Sequence, residues 1–358
     1  MRPVKLVDLF CGAGGFSLGA HLAGFNVAVA VDNDPILSSS YSANFADTRL
    51  LTRDVSSLSG VELLKAAGGS IDGIFGGPPC QGFSDIGRRD KDDPRRQLLG
   101  HFFRIVKELE PSFFVMENVR GLANSDARNV LDEALAQVSG RYELLGPHIW
   151  DAAAFGAATK RQRLFVVGYR KDLQAMVTLE DVERQRCPPV TVRAAIDDLG
   201  CASELGEVDG FDTWKLPPTR SVSKYARGLR AANGCFTGHR PTLHTPKVVQ
   251  RFQSVPHGGM DKIGRHPRLS WEGQCPTLRA GTGSDKGSYQ SVRPIHPDEP
   301  RVITAREAAR LQGFPDWHLF HPTVWHSFRM IGNSVSPIMA RAIFTAIRTA
   351  LYDETRPR

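Results

Sequence analysis

Over the first 170 residues, short apolar runs alternate with stretches whose apolar side chains recur every three or four positions. Val4–Phe10 and Asn26–Val31 are β-rich runs, and the segment from Phe16 to Ala23 between them has helical spacing. Gly73–Gly76, Phe113–Met116 and Leu164–Tyr169 predict further strands, while Leu98, Phe102, Ile105, Val106 and Leu109 mark a helix, as does Val130–Val138. Such alternation predicts an α/β fold, a doubly wound and mostly parallel sheet with helices on both faces. In such a sheet ligands lie beyond the carboxyl ends of the strands.

The pattern changes at Arg186-Cys187-Pro188-Pro189, where Gly, Pro, His and Arg displace helical periodicity until about Pro300. This predicts a cofactor-binding and catalytic domain formed by residues 1–185 and 326–358, and a second, smaller and irregular domain over 186–325. Regular structure returns at Thr304–Gln312, which opens on the capping-box pattern Thr304-Ala305-Arg306-Glu307. It returns again at Pro337–Tyr352, where Met339, Ile343, Ile347 and Leu351 form one apolar stripe.

Composition narrows the classes. With 45 Lys and Arg against 38 Asp and Glu, the chain of 358 residues carries a net charge of +7, which favours a polyanionic partner. No run of about 18 apolar residues predicts a membrane span. The start, Met1-Arg2-Pro3-Val4-Lys5, enters a strand without the apolar core of a secretory signal. Six cysteines with no Cys-x-x-Cys pair argue against a zinc knuckle or a disulfide framework and fit a reducing cytoplasm. His239, His244, His257 and His266 lack metal-ligand spacing, so no metal site is expected.

Three segments carry candidate chemistry. Asp8-Leu9-Phe10-Cys11-Gly12-Ala13-Gly14-Gly15-Phe16-Ser17 reads as strand, glycine turn and helix start, and Asp32 closes the next strand. Glycines let a ligand approach the backbone, and the carboxylate accepts from ribose hydroxyls. Ser17 stands where a dinucleotide site has its last glycine, and there is no Walker lysine. A cofactor with adenosine but no pyrophosphate, such as S-adenosylmethionine, suits the loop better than NAD. Asp54 is placed either to accept an adenine amino group or as a solvated loop acid. The second segment, Gly76-Gly77-Pro78-Pro79-Cys80-Gln81-Gly82-Phe83-Ser84, follows a buried strand and presents a thiol on a rigid loop, either the setting of a nucleophile or a structural turn that happens to contain cysteine. Finally, Glu117 ends the strand Phe113–Met116, either as a strand-end acid or facing the same crevice as Cys80. In the basic cluster Thr159-Lys160-Arg161-Gln162-Arg163, strand alternation sends Arg161 and Arg163 to one side, either toward the crevice or as a solvated charged edge.

Together these segments resemble the cytosine-C5 DNA methyltransferase family, in family order and over almost the whole chain. The matching set is Asp8–Gly19, Asp32, Asp54, Gly76–Ser84, Glu117–Val119, Arg161 with Arg163, Arg301–Pro315 and Gly332-Asn333-Ser334-Val335. The resemblance implies a Rossmann-like methyltransferase that moves a methyl group from S-adenosylmethionine to C5 of a flipped-out cytosine in a short duplex DNA sequence, leaving S-adenosylhomocysteine. It implies catalysis by Cys80, Glu117, Arg161 and Arg163. Cys80 adds to C6, Glu117 relieves the charge at N3, and the two arginines hold O2 and a flanking phosphate. Cofactor binding falls to Phe10, Gly12, Gly14, Asp32, Asn33, Asp54, Val55, Pro78, Asn333 and Ser334. The stretch from about Val190 to Gly273 lies where the family keeps its target-recognition region.

That region is basic and hydroxyl-rich, and phosphate contact is expected from residues such as Arg230, His239, His257 and Arg265. Gln81, Ser84, Arg227, Arg240, Thr277 and Arg279 are the candidate DNA contacts. A monomer in the cytoplasm, associated with the nucleoid through DNA, is expected, with a restriction endonuclease of the same site as a potential partner. Two positions depart from the family pattern: Thr159 stands where Gln is usual, and Asp151-Ala152 where Asn-Ala is usual. Cys235-Phe236-Thr237 is similar to a tripeptide of tRNA cytosine methyltransferases, which makes a tRNA enzyme the alternative within the superfamily. A DNA-binding regulator with a dead site is the non-enzymatic one.

Overall fold

A computed structural model describes residues 3–79, 97–218, 221–281 and 292–352. The predicted strands form as β1 (Lys5–Leu9), β2 (Asn26–Asp32), β4 (Gly73–Gly76), β5 (Phe113–Val119) and β7 (Gln162–Arg170), joined by β3 (Arg49–Thr52) and β6 (Tyr142–Asp151). Their order is β3-β2-β1-β4-β5-β7-β6. The direction of winding reverses between β1 and β4, which opens a crevice at their carboxyl ends.

Period-two alternation covers both faces of this sheet. Phe75 meets Phe16 and Phe344, so the helices Gly15–Leu22 and Pro337–Tyr352 lie on one side. Phe114, adjacent to Phe113 in β5 and pointing the other way, meets Phe102 and Phe103 of the helix Gln97–Leu109. All five phenylalanine rings of β4, β5 and Gln97–Leu109 are buried, each worth about 2–3 kcal/mol of transfer free energy.

One strand departs from the parallel expectation. β7 runs antiparallel to both β5 and β6, pairing Val119 with Arg163 and Asp151 with Gln162. The start of β7 therefore stands at the same edge as the ends of β4 and β5.

Contacts divide the chain into two units. One is Met1–Asp151, Gln162–Arg186 and Met339–Arg358; the other is Ala152–Arg161 and Cys187–Ile338. The second unit contains a small antiparallel sheet in the order β10-β9-β8, from β8 (Ser203–Val208), β9 (Phe211–Lys215) and β10 (Cys235–Thr237). Much of its backbone is irregular, so its carbonyls need partners from outside a ladder. Buried arginines supply them. Arg268 donates to the carbonyls of Phe252, Val255, Pro297 and Asp298. Arg306 does the same for Thr237, Pro315 and His318, and Arg310 forms a fully buried two-bond pair with Asp316.

The capping box forms as expected, with Thr304 capping the helix Ala305–Gln312. Glu307 in that box is buried and accepts two bonds from Arg301, at 2.9 and 2.8 Å. Burial alone would raise its carboxyl, but the Arg301 bonds and charge more than offset this and hold it at about 2. A carboxyl depressed on folding stabilises above its unfolded value, and that stability is lost as pH falls through about 4.5 toward 2. We expect Glu307→Gln to lower the midpoint of thermal unfolding at pH 7, by an amount corresponding to about 3 kcal/mol. The variant's melting curve should then fall less steeply than the parent's between pH 4.5 and 2.

Candidate active site

The glycine turn after β1 is built by unusual backbone. Phe10 has φ 69° and Gly12 φ 50°, and a non-glycine residue in the left-handed region costs on the order of 1 kcal/mol. Gly14 has φ 80°, and a Cβ there would lie 2.3 Å from the Phe45 ring, so both its conformation and its neighbour require glycine. A Cβ on Gly12 would meet nothing within 4 Å. The turn thus presents open space beside a backbone N–H, and that N–H donates to Asp32 Oδ2 at 2.8 Å. Asp32 Oδ1 accepts from the Asp34 N–H at 2.8 Å. Burial raises the Asp32 carboxyl, and these backbone bonds pull it partly back. A carboxylate at the end of β2 beside an open glycine turn fits an adenosine-bearing cofactor. Asn33 is exposed next to it. Asp54, also exposed, caps the short turn Val55–Ser57 by accepting the Ser56 N–H, which lowers its carboxyl, and Val55 is buried behind it.

Beneath this turn lies a network that the sequence reading did not single out. Ser17 donates to Asp8 Oδ2 and shares a second bond with the Tyr41 hydroxyl, both at 2.6 Å. Burial holds the Asp8 carboxyl well above its ordinary value. Buried oxygens bonded at the first turn of the helix Gly15–Leu22 anchor the loop that precedes it. An acid inside an apolar strand, nine residues before a serine, was the available signal.

At the other side of the crevice, Glu117 on β5 and Arg163 on β7 form an ion pair with Nε and Oε1 2.9 Å apart, and both side chains are nearly buried. Burial pulls the Arg163 guanidinium below its ordinary value, and Glu117 offsets part of that. Asn118 Nδ2 donates to the Pro78 carbonyl at 3.0 Å. A Cβ on Gly77 would come within 2.8 Å of Glu117 Oε2, so a larger residue there would displace the carboxylate from its place. The loop leading to the Pro-Pro-Cys tip is therefore pinned against the Glu117–Arg163 pair. Cys80, Gln81 and Ser84 lie outside the described residues. Among the described cysteines, burial pushes the Cys11 and Cys275 thiols up, the latter to about 12. Cys187, Cys201 and Cys235 belong to the second unit.

Arg161 is where the structure corrects the alternation argument. The chain leaves the sheet after Asp151 and re-enters at Gln162, so Arg161 is not a strand residue. It is fully buried in the second unit, donating to the Leu278 carbonyl at 3.2 Å and the Gly332 carbonyl at 2.8 Å. It cannot meet a phosphate while so engaged, and it pins the residues ahead of Asn333. Thr159 nearby uses its hydroxyl on the Cys275 carbonyl at 3.1 Å. Asn333 is exposed, while Ser334 is buried and bonds the Met330 carbonyl.

The DNA candidates of the second unit divide. Arg227, Thr277 and Arg279 are exposed, with the Thr277 hydroxyl on the Lys160 carbonyl. Arg240 is exposed but ion-paired to Glu204 and Glu207 of β8. His239 and Arg230, expected at phosphates, are engaged inside instead: His239 is buried against the Thr304 hydroxyl at 2.9 Å, and Arg230 pairs with Asp198 at 2.9 Å.

Comparison with known proteins agrees with this arrangement. A family described as C-5 cytosine-specific DNA methylase matches residues 4–349. Type II methyltransferase M.XorII of Xanthomonas oryzae pv. oryzae is 41% identical over 98% of this chain and 85% of its own length. Type II methyltransferase M.DdeI of Desulfomicrobium norvegicum is 32% identical over 98% and 89%. A solved structure described as a putative DNA modification methyltransferase encoded within an E. coli prophage is 38% identical and superimposes with a TM-score of 0.82 over 97% of this chain and 99% of that one. S. pombe Dnmt2, 19% identical with a TM-score of 0.65 over 98% and 99%, shares the fold.

The fold is that of a Rossmann-like methyltransferase. The chain belongs to the C-5 cytosine-specific DNA methylase family and is a DNA (cytosine-5-)-methyltransferase, similar to Type II methyltransferases.

Proposed function

We propose that the chain methylates C5 of a cytosine flipped out of a specific short sequence in duplex DNA, through a bond between Cys80 and C6. The observation that carries this reading is the Glu117–Arg163 pair, with the loop into Pro78-Pro79-Cys80 fastened beside it. Cytosine C5 is a poor nucleophile, and thiolate addition at C6 turns the C5–C6 bond into an enamine that can attack an electrophile. Addition pushes negative charge toward N3 and O2. Glu117, carrying a proton taken up from solvent, shares it with N3 as that charge develops. The remaining guanidinium donors of Arg163 hold O2. S-adenosylmethionine, bound by Phe10, Gly12, Gly14, Asp32, Asn33, Asp54, Val55 and Pro78, with Asn333 and Ser334 closing the site, supplies the electrophilic methyl group. Loss of the C5 proton to a base and departure of the Cys80 sulfur then restore the aromatic ring. A stacked base cannot present C6 to a thiolate, which is why the cytosine leaves the duplex.

In this reading the second unit recognises the target, with Arg227, Thr277 and Arg279 as exposed contacts and Gln81 and Ser84 approaching from the thiol loop. Arg161 acts by positioning. The monomer works in the cytoplasm on nucleoid DNA, and the Type II names of the relatives point to an endonuclease of the same sequence as its partner. Transfer of labelled methyl groups tests the substrate class: the expected result is label in duplex DNA, and label in tRNA alone would refute it. Asp32→Ala should weaken S-adenosylmethionine binding by about 10–100-fold in calorimetry, the cost of a charged hydrogen-bond partner. An unchanged affinity would remove Asp32 from the cofactor site.

A further inference from the structure

In the second unit, residues Pro256–Arg268 form a tight hairpin whose interior is fixed and whose tip is bare. Gly258 N–H donates to the Arg268 carbonyl at 3.0 Å, and Arg268 N–H returns to Gly259 at 2.9 Å. Asp261 N–H donates to the His266 carbonyl, and Arg265 N–H to the Asp261 carbonyl, both at 2.9 Å. The Asp261 side chain is buried within the turn. It accepts the N–H groups of Ile263 and Gly264 at 3.2 and 2.8 Å and pairs with Arg251 at 3.2 Å. At the root, the Arg268 guanidinium is tied to surrounding carbonyls, His266 bonds the Arg293 carbonyl at 2.7 Å, and Phe252, Val255, Ile295 and Val302 form a small core. Arg265 is held at φ 58°, a conformation that persists only where its surroundings impose it.

Nothing about this construction requires aliphatic side chains at the tip, yet Met260 is 56% and Ile263 69% exposed. They are interleaved with exposed cations at Lys262 and Arg265, and exposed His257 stands beside them. An apolar tip flanked by cations, on a turn whose conformation is already fixed, matches a duplex groove: phosphates line the rims and base edges the floor. The major groove is wide enough to admit a projecting turn of chain, and aliphatic side chains are suited to apolar base edges there.

The geometry points to this hairpin as a preformed probe that enters the major groove of duplex DNA, Met260 and Ile263 contacting bases and Lys262 and Arg265 contacting phosphates. It rests on the proposed action on duplex DNA and adds the residues that discriminate sequence. Because the tip is ordered before binding, little conformational entropy is lost on contact.

The test uses the full chain, once sequencing of methylated host DNA has defined its target. Met260→Ser/Ile263→Ser should lower kcat/KM on the target duplex by about ten-fold or more and move it toward the value for a scrambled duplex. Both side chains are exposed, so melting temperature and S-adenosylmethionine affinity should not change. Lys262→Ala should weaken target and scrambled duplexes equally and reduce the slope of log affinity against log salt by about one. Variants that keep the parent's sequence preference and salt slope, while the parent methylates duplex DNA, overturn the probe and leave the proposed function standing. A parent that transfers nothing to duplex DNA overturns both.

Discussion

Cys80→Ser should abolish methyl transfer, lowering single-turnover rates by at least about 10⁴-fold, while DNA affinity stays within a few-fold of the parent. Removing a covalent nucleophile typically costs this much or more. A free thiol ionises near pH 8.5 and is lowered further beside a cation, whereas a serine hydroxyl remains protonated and is a far weaker nucleophile toward C6. Binding is expected to survive because phosphate contacts supply much of the affinity for DNA. Cys11 and Cys275 are buried with thiols pushed up, so neither can substitute for the residue that follows Pro79. Turnover near the parent's rate in Cys80→Ser would refute the covalent route.

Arg163→Ala should reduce kcat by about 10²–10³-fold, the usual effect of deleting a donor aimed at developing charge. It should also destabilise the fold by about 3 kcal/mol, because Glu117 would keep its nearly buried place without its cation. Arg163→Lys should rescue little, since the Nε contact to Oε1 depends on the planar guanidinium. In a double-mutant cycle, Glu117→Gln combined with Arg163→Ala should cost much less than the two effects added together. Additive losses, or an unchanged rate in Arg163→Ala, would show that the pair does not act as a unit.

How legible each feature was depended on what holds it. β1, β2, β4, β5 and β7 were readable because strands buried on both faces are continuous apolar runs. β3 was not assigned bounds, being a four-residue edge strand with two exposed and two half-buried positions. The reversal of β7 left no local trace, since direction within a sheet is set by pairing and not by composition; yet it is what brings Arg163 to Glu117. Arg161 was misread because alternation was carried past the start of β7 at Gln162. In the second unit, periodicity failed for a physical reason: Arg161, Arg268 and Arg306 satisfy loop carbonyls that a ladder would otherwise satisfy. Their sequence looks like surface charge, and only the fold shows that it is internal scaffolding. The positions of Asp32 and Glu117 were legible because each closes an apolar run near the end of a strand, where ligands of such sheets collect.

The central claim is that a sulfur from this chain bonds to the pyrimidine while the methyl group is transferred. An oligonucleotide carrying 5-fluorocytosine at the methylated position, incubated with the enzyme and S-adenosylmethionine, tests it directly, because fluorine cannot leave as the C5 proton does. The account predicts a complex that survives denaturing detergent and is absent with Cys80→Ser. Methylated product with no such complex, or a complex that persists in Cys80→Ser, would contradict it.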